Sequence, residues 1–145
     1  MTTFTILSQA IEAKLQSLAE MAGVPLIQED DGDIPTLVER ELGKVGMSAL
    51  LGVPDFTNHD PLANLLNAVI KVQVLFMEVP AIWRKTGNEP HCADLGQSAG
   101  ANLQGLVVTG FEPLRVLSGQ RVVDKDVAAG LYRLEIETMQ IFDAS

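Results

Sequence analysis

The segment Gly96-Gln97-Ser98-Ala99-Gly100 matches the G-x-S-x-G pattern that presents the nucleophilic serine of α/β-hydrolases. In those enzymes a strand runs into a sharp turn, which leaves the serine hydroxyl exposed where a helix begins. Here the residues before Ser98 already follow helical spacing, and both histidines, His59 and His91, precede the serine. The pattern therefore favours small residues that let a helix pack closely on a sheet, with a small hydrolase as the alternative.

Several side chains near residue 90 are of types that bind metal ions, namely Glu89, His91, Cys92 and Asp94. Thiolate and imidazole groups are the usual zinc ligands, but a structural zinc site needs a second Cys or His pair, and none occurs here. Cys92 also falls on the apolar face of a predicted helix. We therefore interpret it as a core cysteine beside a loop histidine, and we predict no metal ion and no other cofactor.

The remaining motif candidates have simpler explanations than catalysis. His59 and Asp60 are suited to act as a base with an orienting carboxylate, but Asp before Pro61 is typical of a helix start, and no nucleophile accompanies the pair. The acidic run 29–33 lacks the alternating ligands and the closing glutamate of a calcium loop. No glycine-rich phosphate-binding pattern occurs. The sequence thus predicts a protein that is not an enzyme.

The charge balance limits the partners of the chain. Its 145 residues include 10 basic and 19 acidic side chains, which give a formal net charge of −9 at pH 7. This excess argues against clinging to nucleic-acid phosphates, which needs a Lys/Arg surface, and against docking on an anionic membrane. The apolar stretches are about half of the roughly 20 residues that a membrane helix needs, and the N-terminus lacks a signal-peptide pattern.

Length and cysteine content point to one domain made in the cytoplasm. A chain of 145 residues with 47% hydrophobic side chains is large enough for one sizeable core, so we predict a single domain, 1–145. Cys92 is the single cysteine and has no partner for an internal disulfide. This fits a reducing compartment.

Hydrophobic periodicity predicts the elements that must position these residues. The predicted helices cover residues 5–22, 33–43 and 92–106. The predicted strands cover residues 24–27, 47–56, 70–77 and 131–142. Between the last helix and the last strand, residues 111–124 are predicted to form a hairpin that turns at Ser118-Gly119. This order predicts an α+β fold: a mostly antiparallel or mixed β-sheet with two main amphipathic helices packed on it.

Two of the predicted strands have a second face that changes character along its length. That face begins polar and ends apolar in the strand 70–77, and in the strand 131–142 it is charged at Glu135 and Glu137 before it becomes apolar. The apolar positions on these faces are Leu75, Met77, Met139 and Ile141. In the strand 70–77 this face is half covered, either by a helix or by another subunit. The strand 131–142 either has a bulge near Thr138 or leaves the core to meet a partner.

The order of these elements resembles a family of bacteriophage proteins. A long strand ends in FMEVPAIWR, the polar loop KTGNEP and an amphipathic helix follow, and the chain continues to VVDKDVAAGLYRLEIETMQIF. With the N-terminal helix included, this arrangement is similar over most of the chain to tail-completion or neck proteins of long-tailed bacteriophages. It resembles most of all the tail terminator proteins, including those of Mu-like prophages.

The resemblance implies a non-enzymatic structural protein of the virion. Tail terminators form a ring, a homohexamer, at the head-proximal end of the finished tail tube, where they stop tube polymerisation and join the tail to the head. The implied partners are other copies of the chain, the tail tube protein and a head connector protein, with DNA only as passing cargo. Another head-tail connector, an adaptor or a stopper, stays open as an alternative, as do a small hydrolase that uses Ser98 and a cytosolic ligand-binding domain.

Some residues suit a place in such a ring. Acidic side chains suit its lumen, because like charge repels DNA phosphates. The candidate lumen residues are Asp124, Asp126, Glu135 and Glu137. The candidate subunit or partner contacts are Leu75, Met77, Trp83, Arg84, Lys85, Met139 and Ile141. The apolar members of this set gain from burial between subunits, and the others lead into the polar loop, which is long enough to reach a neighbour.

Overall fold

The computed structural model describes residues 3–29, 32–58, 62, 68–122 and 130–140, and these residues form helices and a β-sheet. The helices are α1 (Thr3–Gln16), α2 (Ile34–Lys44), α3 (Pro80–Trp83) and α4 (Cys92–Leu103), and a 3₁₀ turn spans Ala19–Met21. The strands are β1 (Leu26–Gln28), β2 (Met47–Leu51), β3 (Asp55–Asn58), β4 (Ala68–Glu78), β5 (Arg115–Val122) and β6 (Gly130–Met139). The candidates Asp124, Asp126 and Ile141 and the pair His59-Asp60 lie outside the described residues.

The strands form one mixed sheet in the order β1-β2-β4-β6-β5, and β3 pairs with β4 beyond the end of β2. β1 runs parallel to β2, whereas every other pair in the sheet is antiparallel. The long strand β4 is central because its alternate residues are buried from Ala68 to Phe76. The predicted α+β class with a mixed sheet is confirmed.

The core lies between one face of this sheet and the two main helices, as predicted. Leu7, Ile11 and Leu15 of α1 have no exposed surface, and Leu95 and Leu103 of α4 are equally enclosed. All of them join one apolar cluster with alternate residues of β4 and β6. We call this side of the sheet the helix face and the opposite side the second face.

The helix ends follow local capping chemistry. α2 begins after Asp33, whose carboxylate accepts hydrogen bonds from the Thr36 hydroxyl (2.8 Å) and amide (3.5 Å). α1 and α4 both end earlier than predicted, at Gln16 and Leu103. After α4, Gly105 takes a φ of 79°, a left-handed conformation that suits glycine and ends the helix.

The predicted hairpin at Ser118-Gly119 is wrong. β5 runs straight through this dipeptide and pairs with β6, with a register shift between Val116 and Ser118 that leaves a bulge. Glycine is needed at position 119 for packing, since a Cβ there would lie 2.8 Å from the Tyr132 hydroxyl oxygen.

Of the two alternatives for the end of the predicted strand 131–142, the bulge near Thr138 is excluded, because β6 keeps its register there. Thr138 pairs with Ile70 and Met139 with Val69. Thr138 closes the helix face of β6, and its hydroxyl donates a hydrogen bond of 2.6 Å to the Glu112 carbonyl. The bond satisfies a hydroxyl that is almost fully buried. Met139 therefore stays on the second face beside Val69.

Candidate functional site

The G-x-S-x-G segment lies inside α4 and serves helix packing. Ser98 is in the middle of this helix, where its carbonyl accepts a hydrogen bond of 2.8 Å from the Asn102 side chain. A Cβ on Gly96 would lie 2.3 Å from the Tyr132 ring, and one on Gly100 would lie 3.3 Å from a Leu134 methyl group. The glycines thus let α4 approach β6 closely, and no strand turns into the helix at Ser98.

A buried carboxylate organises the residues that resembled a metal site. Glu78, only 3% exposed at the end of β4, accepts a hydrogen bond of 3.1 Å from the Cys92 amide and lies 3.0 Å from His91 Nδ1. Asp94 accepts a hydrogen bond of 2.9 Å from the His91 amide. Both carboxylates face the positive end of the α4 dipole, so they cap this helix.

The sequence did not predict that Glu78 caps α4. Glu78 lies 13 residues before His91, and no local pattern links the two. Within the described residues, no group of three or more His, Cys, Asp or Glu side chains is placed to hold a metal ion. Burial, with the nearby Glu78 charge, raises the pKa of the Cys92 thiol to about 11, so the thiol is protonated at neutral pH.

The polar loop after α3 is folded on itself. The Trp83 indole donates a hydrogen bond of 2.7 Å to the Pro90 carbonyl, and the Arg84 guanidinium donates to the carbonyls of Gly87 and Glu89. The Thr86 amide donates a hydrogen bond of 3.0 Å to the Glu89 carboxylate and lowers the pKa of that group. Trp83 and Arg84 are consequently half-buried, whereas Lys85 is exposed.

The second face carries a band of polar side chains across its middle, which we call the polar strip. Its described members are Asp55, Lys71, Gln73, Arg115, Ser118, Arg133, Glu135 and Glu137. Arg115 forms an ion pair of 2.7 Å with Glu137. Glu135 accepts hydrogen bonds of 3.1 Å from Gln73 and 3.4 Å from Ser118. The two described lumen candidates therefore have partners within the chain.

The charges of the polar strip balance one another. Its described carboxylates, Asp55, Glu135 and Glu137, equal its described cations in number. Those cations are Lys71, Arg115 and Arg133. The negative charges of Glu135 and Glu137 are thus largely compensated by cations of the same strip. The assignment of these two residues to a lumen stays a prediction.

The apolar candidates on the second face differ in accessibility. Met77 is only 6% exposed within the single chain, so it offers little surface to a partner. Leu75 is half-buried. Met139, at the other end of the face, lines an open depression of about 360 Å³ together with Val69 and Thr57. Met139 is half-buried like Leu75, so these two candidates offer more surface to a partner than Met77 does.

Comparisons with known proteins identify the fold. No protein-family model and no curated protein sequence matches the chain. Among solved structures, a chain of the "virion of native gene transfer agent (GTA) particle" is similar, with a TM-score of 0.62 and 14% sequence identity. The likeness covers 97% of this chain and 98% of that chain, so the whole fold is shared. No helix in the described residues is long and apolar enough to cross a membrane.

Proposed function

We propose that this chain is a non-enzymatic structural protein of a virion and, within that class, a tail terminator. The observation that carries the proposal is the shared fold with a virion chain, which extends over 97% of one chain and 98% of the other. A match of this extent aligns the two chains from end to end, which is more than a common motif. The independent resemblance of the element order to tail terminators supports the finer assignment.

The surroundings of the candidate catalytic side chains also support a role through protein contacts. Ser98 lies in the middle of α4, not at the strand-to-helix turn that exposes a hydrolase nucleophile. His91 and Cys92 are tied to Glu78 at a helix start. Each group that sequence patterns singled out for chemistry, and that lies among the described residues, thus has a structural explanation.

In the proposed role, copies of the chain form a hexameric ring at the head-proximal end of the tail tube. The ring stops polymerisation of the tube protein and joins the tail to a head connector protein. DNA passes through it, with Asp124, Asp126, Glu135 and Glu137 as the proposed lumen residues. Because the polar strip is balanced, repulsion of DNA depends on Asp124 and Asp126 as well as on the strand carboxylates.

The experiment combines native mass measurement with tube assembly. We expect the full chain to form closed rings and to halt growth when added to polymerising tail tube protein. A chain that is monomeric at every concentration and leaves tube growth unchanged would overturn the proposal. Rings that bind a head connector but not the tube would replace it with an adaptor or stopper. Ser98→Ala is the matched control, and it should assemble like the unmodified chain.

A further inference from the structure

We propose that neighbouring copies of this chain join by pairing β3 of one copy with β5 of the next. The side chain of Phe56 then enters the groove between α4 and β5 of the neighbour. This inference rests on the proposed function, because it says how the ring is held together. It is carried by four observations: two open sheet edges, the faces of their side chains, a groove and the charges.

The first observation is that β5 leaves most of its outer edge open. Among the described residues it pairs only with β6. Its first residues are covered, since the Val116 amide donates a hydrogen bond of 2.7 Å to the Gln104 side chain. From Ser118 to Val122 no described strand lies alongside. An open strand edge presents unpaired amide and carbonyl groups, which bind an added strand.

The other end of the sheet has a second open edge at β3. β1 pairs only with Ala49–Leu51 of β2 and ends before β3 begins. β3 pairs with β4 on one side, and no described strand pairs with its other side. Its residues Asp55, Phe56 and Thr57 are all exposed. Phe56 is 54% exposed, and among the described residues its ring lies against that of Phe4, at a centroid distance of 6.3 Å.

The side chains of the two edges lie on compatible faces. Phe56 pairs with the buried Ile70 and so lies on the helix face, while Asp55 and Thr57 lie on the second face. On β5, Gly119 pairs with the buried Leu134 and so belongs to the helix face. When β3 continues the sheet beyond β5, Phe56 therefore arrives on the side where α4 lies.

A groove is present at that position. It has a volume of about 490 Å³ and runs between α4 and β5. Its lining includes Gly96, Gly100, Val116, Gly119, Tyr132 and Leu134. Tyr132 and Leu134 occupy the space beside the three glycines, so the apolar surface of the groove comes from Val116, Tyr132 and Leu134. The lining also includes Asp94 and Gln97, so the groove offers apolar surface beside polar groups to an aromatic ring that is half in water on its own copy.

The charges of the two edges are opposite. The open part of β5 carries Arg121 and no carboxylate, whereas Arg115, at the covered start of the strand, is ion-paired with Glu137. β3 carries Asp55 and no cation, and the adjacent Glu29 accepts a hydrogen bond of 2.6 Å from the Val53 amide. Opposite charges favour β3 against β5 and disfavour each edge against itself. Pairing of two different edges is the heterologous contact from which a ring closes.

Cysteine cross-linking tests this pairing. Thr57→Cys and Gln120→Cys each place one thiol on the second face, at opposite ends of the sheet. Within one copy three strand spacings separate the sites, and the residues of β6 aligned with them, Met139 and Arg133, also lie far apart along that strand. The sites are therefore more than about 14 Å apart, which is too far for a disulfide. We expect oxidation to yield a cross-linked dimer when the two variants are mixed, and at least tenfold less with either alone. Thr57→Cys with Ser118→Cys covers a register shift of two residues.

The controls separate this inference from the proposed function. Glu39→Cys, on the exposed side of α2, should not cross-link with Thr57→Cys. Efficient cross-linking of Gln120→Cys with itself would overturn the pairing of unlike edges. Rings that form without any cross-link in either register would overturn the strand pairing and leave the terminator proposal standing. A chain that never assembles would overturn both.

Side-chain insertion has its own test. Phe56→Ser should raise the protein concentration needed to form subunit rings at least tenfold, because the phenyl side chain no longer fills the groove. Val107→Ser removes an apolar side chain that is 74% exposed elsewhere on the surface, and it should leave ring formation unchanged. Equal assembly of both variants would overturn the insertion of Phe56.

Discussion

Glu78 is the single side chain on which the start of α4 depends most. Its carboxylate is buried and accepts the Cys92 amide, so Glu78→Ala leaves that amide without its partner. We expect the free energy of unfolding to fall by about 1–3 kcal/mol, as for other buried donors that lose their acceptor. Glu78→Gln keeps an acceptor oxygen and should cost less. Urea unfolding measures the difference, and an unchanged midpoint for Glu78→Ala would contradict the capping role.

Cys92 shows how burial controls reactivity at the scale of one residue. Its pKa is raised to about 11, so the thiol stays protonated below that pH. Since the thiolate is the reactive form, the rate of alkylation in the folded chain should rise by about tenfold per pH unit from pH 7 until near that pKa. Iodoacetamide labelling followed by mass spectrometry measures this rate. Rapid labelling at pH 7 would contradict the prediction, and the unfolded chain provides the fast reference.

At the scale of elements, the approach of α4 to the sheet depends on glycine. Gly96→Ala places a methyl group 2.3 Å from the Tyr132 ring, and we expect it to destabilise the fold by about 1–3 kcal/mol through overpacking. Gly43→Ala in α2 is the matched control, because nothing lies within 4 Å of its added Cβ. This second substitution should be stabilising by up to about 1 kcal/mol. Thermal unfolding of both variants should show opposite signs, and a common sign would contradict the packing argument.

A helix or strand can be predicted from the sequence when the interactions that determine it lie within the element itself. The apolar repeats of α1 and β4 predicted both elements, because burial on one face dictates the spacing within each. Gly119 led to the wrong prediction of a hairpin turn. A glycine is required there because the Tyr132 side chain, from the neighbouring strand, packs against it. Glu78 was missed as a cap for the same reason. Contacts between segments that are distant in the sequence produce no regular residue spacing. They can therefore be identified only once the fold is known.

At the scale of the whole molecule, the net charge of −9 is unevenly distributed. The polar strip is balanced over its described residues, and β5 carries only cations among its charged side chains. The excess of carboxylates therefore lies elsewhere in the chain. In a ring built by pairing β3 with β5, the second faces of all copies join into one continuous surface. If this surface lines the channel, passing DNA meets ion pairs as well as repelling carboxylates.

This arrangement predicts that replacing one carboxylate of the second face by a neutral amide makes the ring bind DNA. Glu137→Gln removes the carboxylate that lies 2.7 Å from Arg115, so one uncompensated guanidinium per copy faces the channel. We expect assembled rings of this variant to bind short duplex DNA about tenfold more tightly than unmodified rings, with an affinity that falls as salt rises. Fluorescence anisotropy of labelled DNA measures the affinity. Glu39→Gln on α2 changes the net charge equally and should have no such effect; equal DNA binding by the two variants would contradict a lumen on the second face.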